Sequence, residues 1–138
     1  MLSCEAAVIL LDTCAIIWDA VQPAMLTEPA RSAIHSADEA NSLIVSDISI
    51  WEIAMLMKKG RVEINTTPSK FFTLFLQSRS VSVQSILPDI AELSVSFDSS
   101  MSNDPADRII AATSIIHNAQ LVTADQNLRN NPLINTIW

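Results

Sequence analysis

Four carboxylates in this chain stand where each could bind a metal ion: Asp12, Glu52, Asp107 and Asp125. Asp12 and Asp125 directly follow short apolar runs, whereas Glu52 and Asp107 fall near the starts of helix-like segments. Residues just past the carboxyl ends of parallel strands converge on one crevice in an α/β fold. Acids gathered there would repel one another unless a hard cation such as Mg²⁺ or Mn²⁺ lay between them. The pattern therefore favours a metal-dependent phosphodiesterase.

Each of these acids also has a purely structural interpretation. Asp104-Pro105-Ala106-Asp107 is typical of a helix start, with an N-cap, a proline at the first position and an acid at the third. Ser49-Ile50-Trp51-Glu52 matches a capping box, and Asp12 and Asp125 could each cap a following helix. Taken one at a time, the acids leave capping and metal binding both open. Taken together, their positions favour a shared metal site.

The histidines, cysteines and single glycine of the sequence argue against a zinc site and against a nucleotide-binding loop. His35 and His117 fall in the middle or late part of predicted helices, away from the acids. Carboxylate oxygens with no His or Cys nearby favour Mg²⁺ or Mn²⁺ over zinc. Cys4 and Cys14 have a spacing that fits neither a redox motif nor a zinc site, so we expect reduced thiols, with Cys14 packed behind Asp12. A single glycine excludes a P-loop or dinucleotide fingerprint.

The elements that must position these acids alternate along the chain. Apolar runs predict strands over residues 8–11, 43–46, 81–86, 121–123 and 134–137. Helical spacing and stop signals predict helices over residues 15–20, 29–40, 48–59, 68–79, 88–96 and 105–117. Short strands alternating with amphipathic helices predict an α/β fold, in which a central parallel sheet is flanked by helices in three layers.

Two aromatic features predict how helices pack. Phe71, Phe72, Phe75 and Leu76 fall at helical spacing and predict a buried stripe. Trp51 is interpreted as a core residue that anchors its helix, and stacking on a nucleic-acid base is the alternative.

Length and composition bound the class of protein. The chain has 138 residues, of which 49% are hydrophobic, and this predicts a single domain over residues 1–138 with a substantial core. No stretch approaches the roughly 20 apolar residues that span a bilayer. The first residues also lack the pattern of a secretory signal. We therefore expect a cytoplasmic protein with no membrane partner.

The net charge of −7 limits the affinity expected for nucleic acid, because nucleic-acid binders usually carry a basic footprint. Setting aside four clustered acids of the fifteen leaves eleven acids against eight basic residues, a mild excess. Lys58, Lys59 and Arg61 form the one basic cluster; they either complement a helix dipole or contact an RNA backbone. Arg108 either touches a phosphate or forms a surface salt bridge.

Four blocks of the sequence resemble the PIN-domain nucleases, most closely the VapC-type toxins of bacterial type II toxin–antitoxin modules. The resemblance runs from residue 8 to about residue 130. The blocks are Leu11-Asp12-Thr13 followed by Trp18, Ser46-x-x-Ser49-x-Trp51-Glu52-Ile53-Ala54 leading to Lys59-Gly60-Arg61, Asp104-Pro105-x-Asp107-Arg108-Ile109-Ile110-Ala111-Ala112, and Leu121-Val122-Thr123-Ala124-Asp125. Four blocks in this order make the match specific.

The resemblance implies a fold and a site. The fold is a PIN-like parallel sheet flanked by helices. The site is an acidic centre for Mg²⁺ or Mn²⁺, whose ligands fall on Asp12, Glu52, Asp107 and Asp125. Supporting roles fall on Asp104 at the rim, on Thr123, whose hydroxyl supports water at the metal, and on Thr13. Asp47 departs from the family pattern, which has a small or apolar residue there, and it adds negative charge near Glu52.

The resemblance also implies an activity and partners. Members of the family typically cleave RNA, often tRNA or ribosomal RNA, with a metal-activated water. They are held inactive by a co-expressed antitoxin and commonly form homodimers. Two alternatives stay open: a PIN-fold module that binds RNA or protein with little or no activity, and a phosphohydrolase with an Asp nucleophile at a strand end. The second usually needs another acid two residues after the first, where this chain has Cys14.

Overall fold

The computed structural model describes residues 7–138, which form five β-strands with one or two α-helices between successive strands. The strands are β1 (Ile9–Leu11), β2 (Leu43–Ser46), β3 (Val81–Gln84), β4 (Gln120–Val122) and β5 (Thr136–Ile137). The helices are α1 (Thr13–Val21), α2 (Glu28–Glu39), α3 (Asp47–Lys58), α4 (Pro68–Ser78), α5 (Pro88–Ser96), α6 (Pro105–Ile116) and α7 (Gln126–Arg129). Each predicted element is present, with ends that differ from the predicted ones by at most two residues.

The strands form one parallel sheet in the order β3-β2-β1-β4-β5. β1 is the central strand, and its Leu11 lies opposite Val45 of β2 and Val122 of β4. Because every pair is parallel, the carboxyl ends of the strands lie at one edge of the sheet. The central parallel sheet predicted from the sequence is confirmed.

Helices cover both faces of the sheet. Successive strand residues point to opposite faces, so each strand contributes side chains to both sides. Leu11 and Val45 belong to a core cluster that α1, α2, α3 and α4 complete. Leu10 and Ile44 belong to a second cluster that α6 and α7 complete. Strands that are buried on both faces have nearly continuous apolar sequences, which explains the apolar runs of β1 and β2. The predicted three-layer α/β/α arrangement is confirmed.

Two of the packing predictions were wrong. Trp51, interpreted as a core residue, is 59% exposed. The buried residues of α3 are Ser49 and Ile53, four positions apart on one side of the helix, and Trp51 lies midway between them on the other side. On α4 the three phenylalanines are buried as predicted, but Leu76 lies at the edge of their stripe and is 38% exposed.

No helix within residues 7–138 is both long enough and apolar enough to cross a membrane.

An ion-pair network ties three elements together at the amino-terminal edge of the sheet. Arg79, just before β3, donates to both carboxylate oxygens of Asp19 on α1, at 2.8 and 3.1 Å, and to Asp38 on α2 at 3.0 Å. The backbone N–H of Ser80 donates to the other oxygen of Asp38 at 2.6 Å. The Asp19 side chain is only 6% exposed, so it depends on Arg79 for its counter-charge.

Replacing Arg79 by Met should therefore destabilise the fold by about 2 kcal/mol, because a nearly buried carboxylate loses its partner. Urea unfolding measures the difference in the free energy of unfolding. The matched control is Arg31→Gln, which removes a cation from an exposed pair with Glu28 and should cost less than about 0.5 kcal/mol. Equal losses in the two variants would contradict a structural role for the Arg79 network.

Candidate active site

The carboxyl edge of the sheet carries a cleft of about 370 Å³ with five acids in its walls, called here the acid cleft. The five acids are Asp12, Glu52, Asp104, Asp107 and Asp125. They include all four predicted metal ligands and the predicted rim residue. Residues that lie far apart in the sequence meet here because β1 and β4 are neighbours and because α3 and α6 start at the same edge of the sheet.

Asp12 and Asp125 occupy the two strand ends and also cap the helices that follow. Asp12 is buried, and its carboxylate accepts a hydrogen bond from the N–H of Ala15 at 2.8 Å. The Asp125 carboxylate accepts one from the N–H of Leu128 at 3.0 Å, at the start of α7. The capping interpretation is therefore correct for both residues, and it coexists with their position in the acid cleft.

Asp104 and Asp107 enter the cleft from the first turn of α6. Asp104 caps the helix by accepting from the N–H of Ala106 at 2.9 Å. Asp107 occupies the third helical position, and its carboxylate accepts a hydrogen bond from the hydroxyl of Ser102 at 2.9 Å. The predicted helix start, with its proline in the first position, is observed. Ser102 was missed by the sequence analysis, although a serine two residues before an Asp N-cap is a recognisable local signal.

Glu52 is positioned differently from the prediction. The capping-box interpretation was wrong, because α3 starts one turn earlier: Ser46 is its N-cap and accepts from the N–H of Ile48 at 3.2 Å. Glu52 instead accepts a hydrogen bond from the Thr13 hydroxyl. The Thr13 oxygen also lies 3.0 Å from the hydroxyl oxygen of Ser49, and both of these hydroxyl residues are buried. Thr13 thus links α1 to the acid on α3.

The electrostatics of Asp12 show how unfavourable its charge is. Burial raises its pKa from 3.8 to about 6, although hydrogen bonds from the Thr123 side chain and the Ala15 backbone act in the opposite direction. The charges of Asp125 and Glu52 raise the pKa further. Thr123 is itself fully buried, and its oxygen also accepts from the N–H of Asp125 at 3.0 Å. Thr123 therefore supports both strand-end acids.

Asp107 has the same electrostatic character. Burial raises its pKa to about 6, the Ser102 hydrogen bond opposes the rise, and the charges of Asp104, Asp125 and Glu52 add to it. The pKa of Glu52 is also raised, first by burial and then by Asp104, against the hydrogen bond from Thr13. Within residues 7–138, the ion pairs do not involve any of the acids in the cleft. The negative charge of the cleft is therefore uncompensated by the described part of the chain.

This donor set fits a hydrated hard cation. Among the described residues, no three of the acids are close enough together to form a ready-made coordination cage. Mg²⁺ does not need one, because it keeps several of its waters and takes one or two carboxylates directly. Mn²⁺ accepts the same oxygen ligands. The fit thus rests on the oxygen chemistry and the unpaired charge of the cleft.

The prediction for Cys14 was wrong. Cys14 is exposed rather than packed behind Asp12, and it lines the acid cleft, so a sulfur does lie near the acids. Helix α1 starts at Thr13, and this start turns the side chain of Cys14 outward. Loss of hydration in the cleft and the neighbouring carboxylates raise the pKa of the thiol to about 11. A protonated thiol is a poor metal ligand. Cys4 lies outside the described residues.

The histidines lie elsewhere, as predicted. His35 pairs with Glu39 on the exposed side of α2 at 3.0 Å, and His117 is the C-cap of α6. Asp47, the departure from the family pattern, starts α3 and does not line the acid cleft. One of its carboxylate oxygens is buried and has no hydrogen-bond partner among residues 7–138.

Arg108 has a structural role that the sequence analysis did not predict. Its guanidinium donates to the backbone carbonyls of Ser102 at 2.7 Å, Phe97 at 2.8 Å and Asp98 at 3.1 Å. It therefore fixes the loop that leads to Asp104, instead of pairing with a surface carboxylate. The phosphate contact that the sequence analysis offered as one alternative stays a prediction.

The basic cluster lies at the carboxyl end of α3. Lys58, Lys59 and Arg61 are exposed and do not line the acid cleft. Four apolar residues do line it, Trp18, Leu56, Ile110 and Ala124. Leu56 was missed, although its position four residues after Glu52 on the same helix indicates a shared face.

Comparisons with known proteins agree with this architecture. The PIN domain family model matches residues 9–132. The chain is 35% identical over 132 residues to Ribonuclease VapC22 of Mycobacterium tuberculosis, and the match covers 94% of this chain and 98% of that protein. The chain therefore belongs to the PIN-domain family. The resemblance to VapC-type proteins inferred from the four sequence blocks is confirmed.

Solved structures show the same fold at lower identity. VapBC2 from Rickettsia felis, bound to a DNA fragment from its promoter, matches with a TM-score of 0.71 and 16% identity, covering 94% of this chain and 96% of that one. DNA-bound VapBC from Salmonella typhimurium matches with a TM-score of 0.69 and 15% identity, with the same coverage of each chain.

Replacing Asp12 by Asn should stabilise the metal-free protein at neutral pH. Asn preserves the helix cap but removes a charge that burial disfavours. Because the folded pKa of about 6 lies above the ordinary 3.8, the free energy of unfolding of the wild type falls as the pH rises through this interval. We expect the melting temperature of the variant in EDTA at pH 7.5 to exceed that of the wild type by about 4 °C or more.

The difference in melting temperature between Asp12→Asn and the wild type should shrink at pH 4.5, where the wild-type carboxyl is protonated. The control is Glu92→Gln, which neutralises an exposed acid on α5 and should leave the melting temperature unchanged at both pH values. A variant that melts below the wild type at pH 7.5 would show that the Asp12 charge is not unfavourable.

Proposed function

We propose that this chain is a metal-dependent endoribonuclease and the toxin of a type II toxin–antitoxin module. One observation carries the proposal: five acids that have no ion-pair partner among residues 7–138 line one cleft at the carboxyl edge of a PIN-domain sheet. The 35% identity to a relative named Ribonuclease VapC22 supports the same activity. The substrate is RNA, and tRNA or ribosomal RNA is the class that we expect.

The proposed metal ligands are Asp12, Asp107 and Asp125, with Glu52 completing the site. A bound Mg²⁺ or Mn²⁺ lowers the pKa of an attacking water and polarises the scissile phosphate. The protein holds its own acids ready for this task. Asp12 and Asp125 are fixed by the helices that they cap, and Asp107 is fixed by Ser102. The rim acid Asp104 adds negative charge that attracts the cation.

Hydroxyl groups orient the remaining parts of the site. Thr13 donates to the Glu52 carboxylate and is itself in contact with Ser49, so Glu52 is held on the α3 side of the cleft. Thr123 lies between Asp12 and Asp125. These contacts restrict the rotamers of the acids before substrate arrives, which lowers the entropy lost on reaching the reactive geometry.

Two other functions are less well supported. A phosphohydrolase with an Asp nucleophile would need an accessible carboxylate, whereas Asp12 is 9% exposed and engaged in a helix cap. A module that only binds RNA or protein has no need for acids whose mutual repulsion opposes folding. All four predicted ligands are present in the cleft.

The proposed module includes an antitoxin, because the solved relatives are VapBC complexes. A basic segment of such a partner would complement the acid cleft and compete with the metal. We also propose that the toxin acts in the cytoplasm, where its RNA substrates are, and that it forms homodimers like other members of the family.

The direct test is cleavage of purified tRNA and ribosomal RNA under single-turnover conditions with EDTA, Mg²⁺ or Mn²⁺. We expect cleavage only with a divalent cation, and we expect Asp107→Asn to lower the rate by about two orders of magnitude or more, since it removes charge from the metal site. Glu92→Gln, which removes an acid remote from the cleft, should cleave like the wild type.

Cleavage in EDTA, or an Asp107→Asn variant with the wild-type rate, would contradict the proposed mechanism. A folded wild type that hydrolyses small phosphate esters but leaves every RNA intact would favour the phosphohydrolase alternative.

A further inference from the structure

We propose that Trp18 and Arg61 hold the RNA strand beside the acid cleft, Trp18 by stacking on a base and Arg61 by contacting a backbone phosphate. The inference rests on the proposed ribonuclease function, and it assigns the direction in which the substrate leaves the site. Trp18 has no binding role in the proposed cleavage mechanism itself.

A second cleft of about 430 Å³, called here the side cleft, lies between the carboxyl-terminal half of α1 and the segment that follows α3. Trp18 and Gln22 form one wall, and Arg61 and Glu63 form the other. Trp18 also lines the acid cleft, so the two clefts share this residue in their walls. An RNA strand that is bound at the acids reaches Arg61 by passing the Trp18 side chain.

The Trp18 ring is a rigid platform. It is half-buried, packs against the core of the sheet, and lies against the ring of Trp138, with centroids 5.7 Å apart and planes at 45°. Aromatic platforms bind single-stranded nucleic acid by stacking, which is worth about 1–3 kcal/mol per base and tolerates every base. A fixed ring loses little entropy when a base stacks on it.

Arg61 differs from the other arginines in that its guanidinium has no partner within the described part of the chain. The other four arginines contact carboxylates, carbonyls or an amide: Arg31, Arg79, Arg108 and Arg129. Arg61 is exposed and forms no hydrogen bond or ion pair with any side chain of residues 7–138. A planar guanidinium matches the geometry of a phosphate group. The Glu63 carboxylate repels phosphates from its own part of the side cleft. Arg61 is therefore the residue of this cleft that contacts the RNA phosphate.

The charge distribution favours a polyanion over a protein segment here. Three of the eight basic residues of the chain fall within residues 58–61, although the net charge is −7. The acid cleft repels phosphates that are not neutralised by a metal. A local cationic contact at the border of the acid cleft offsets this repulsion for the next phosphate along the strand.

The test is the affinity for a short fluorescent single-stranded RNA, measured by anisotropy at several NaCl concentrations with constant Mg²⁺. All variants carry Asp107→Asn, so that the probe is not cleaved. Arg61→Gln should weaken binding about 5-fold or more and lower the salt slope by about 0.7, because one phosphate contact on a single strand is lost. Arg61→Lys should keep the slope.

Trp18→Leu should weaken binding about 5-fold or more without changing the salt slope, since stacking releases no counterions. Trp18→Phe keeps an aromatic ring and should retain most of the affinity, and it separates stacking from a loss of folding. Melting curves confirm that each variant is folded. The matched charge control is Lys70→Gln, an exposed cation on α4 outside both clefts, which should change the affinity less than about 2-fold.

Equal effects of Arg61→Gln and Lys70→Gln, or wild-type affinity in a folded Trp18→Leu variant, would overturn the inference. Arg61→Gln is also tested in the enzyme that retains Asp107. If cleavage there is metal-dependent and kcat/KM is unchanged, the inference is overturned and the proposed function stands. A wild type that neither binds nor cleaves RNA would contradict both. Variants that lose affinity for an antitoxin but not for RNA would assign the side cleft to the protein partner instead.

Discussion

Uncompensated negative charge at the carboxyl edge of the sheet is the constraint on which the rest of this structure depends. Five acids line one cleft, and the ion pairs of the described residues do not include any of them. Burial and mutual repulsion raise the pKa of both Asp12 and Asp107 to about 6. We propose that a cation entering this cleft would relieve the repulsion, so that the unfavourable electrostatics of the site would favour metal binding.

The fold keeps three of the five acids in position by giving them a second role. Asp12, Asp104 and Asp125 are the N-caps of α1, α6 and α7, and a cap stabilises a helix by about 1 kcal/mol. The opposite edge of the sheet shows the contrast. There Arg79 pairs with two carboxylates and joins three elements. Asp19 and Asp38 are thus paired with a cation, whereas no ion pair within residues 7–138 involves an acid of the cleft.

Local signals were enough to predict the sheet, the helix starts and the convergence of the acids, because apolar runs and capping residues act over a few positions. Two of the contacts that the sequence analysis missed join distant positions: Thr13 bonds Glu52 across 39 residues, and Arg79 bonds Asp19 across 60. The side of α3 that faces the core is decided by packing against β2, α1, α4 and α6, which are tertiary contacts. Ser49 and Ile53 are buried there, and Trp51 is exposed.

A crystal of the protein soaked in Mn²⁺ tests whether the acid cleft is a site for a divalent cation. Anomalous scattering identifies the metal independently of any activity. We expect an anomalous peak within bonding distance of Asp12, Asp107 or Asp125, with water completing the coordination. A fully occupied peak elsewhere, or an empty cleft at millimolar Mn²⁺ in crystals whose acids are ionised, would contradict this expectation.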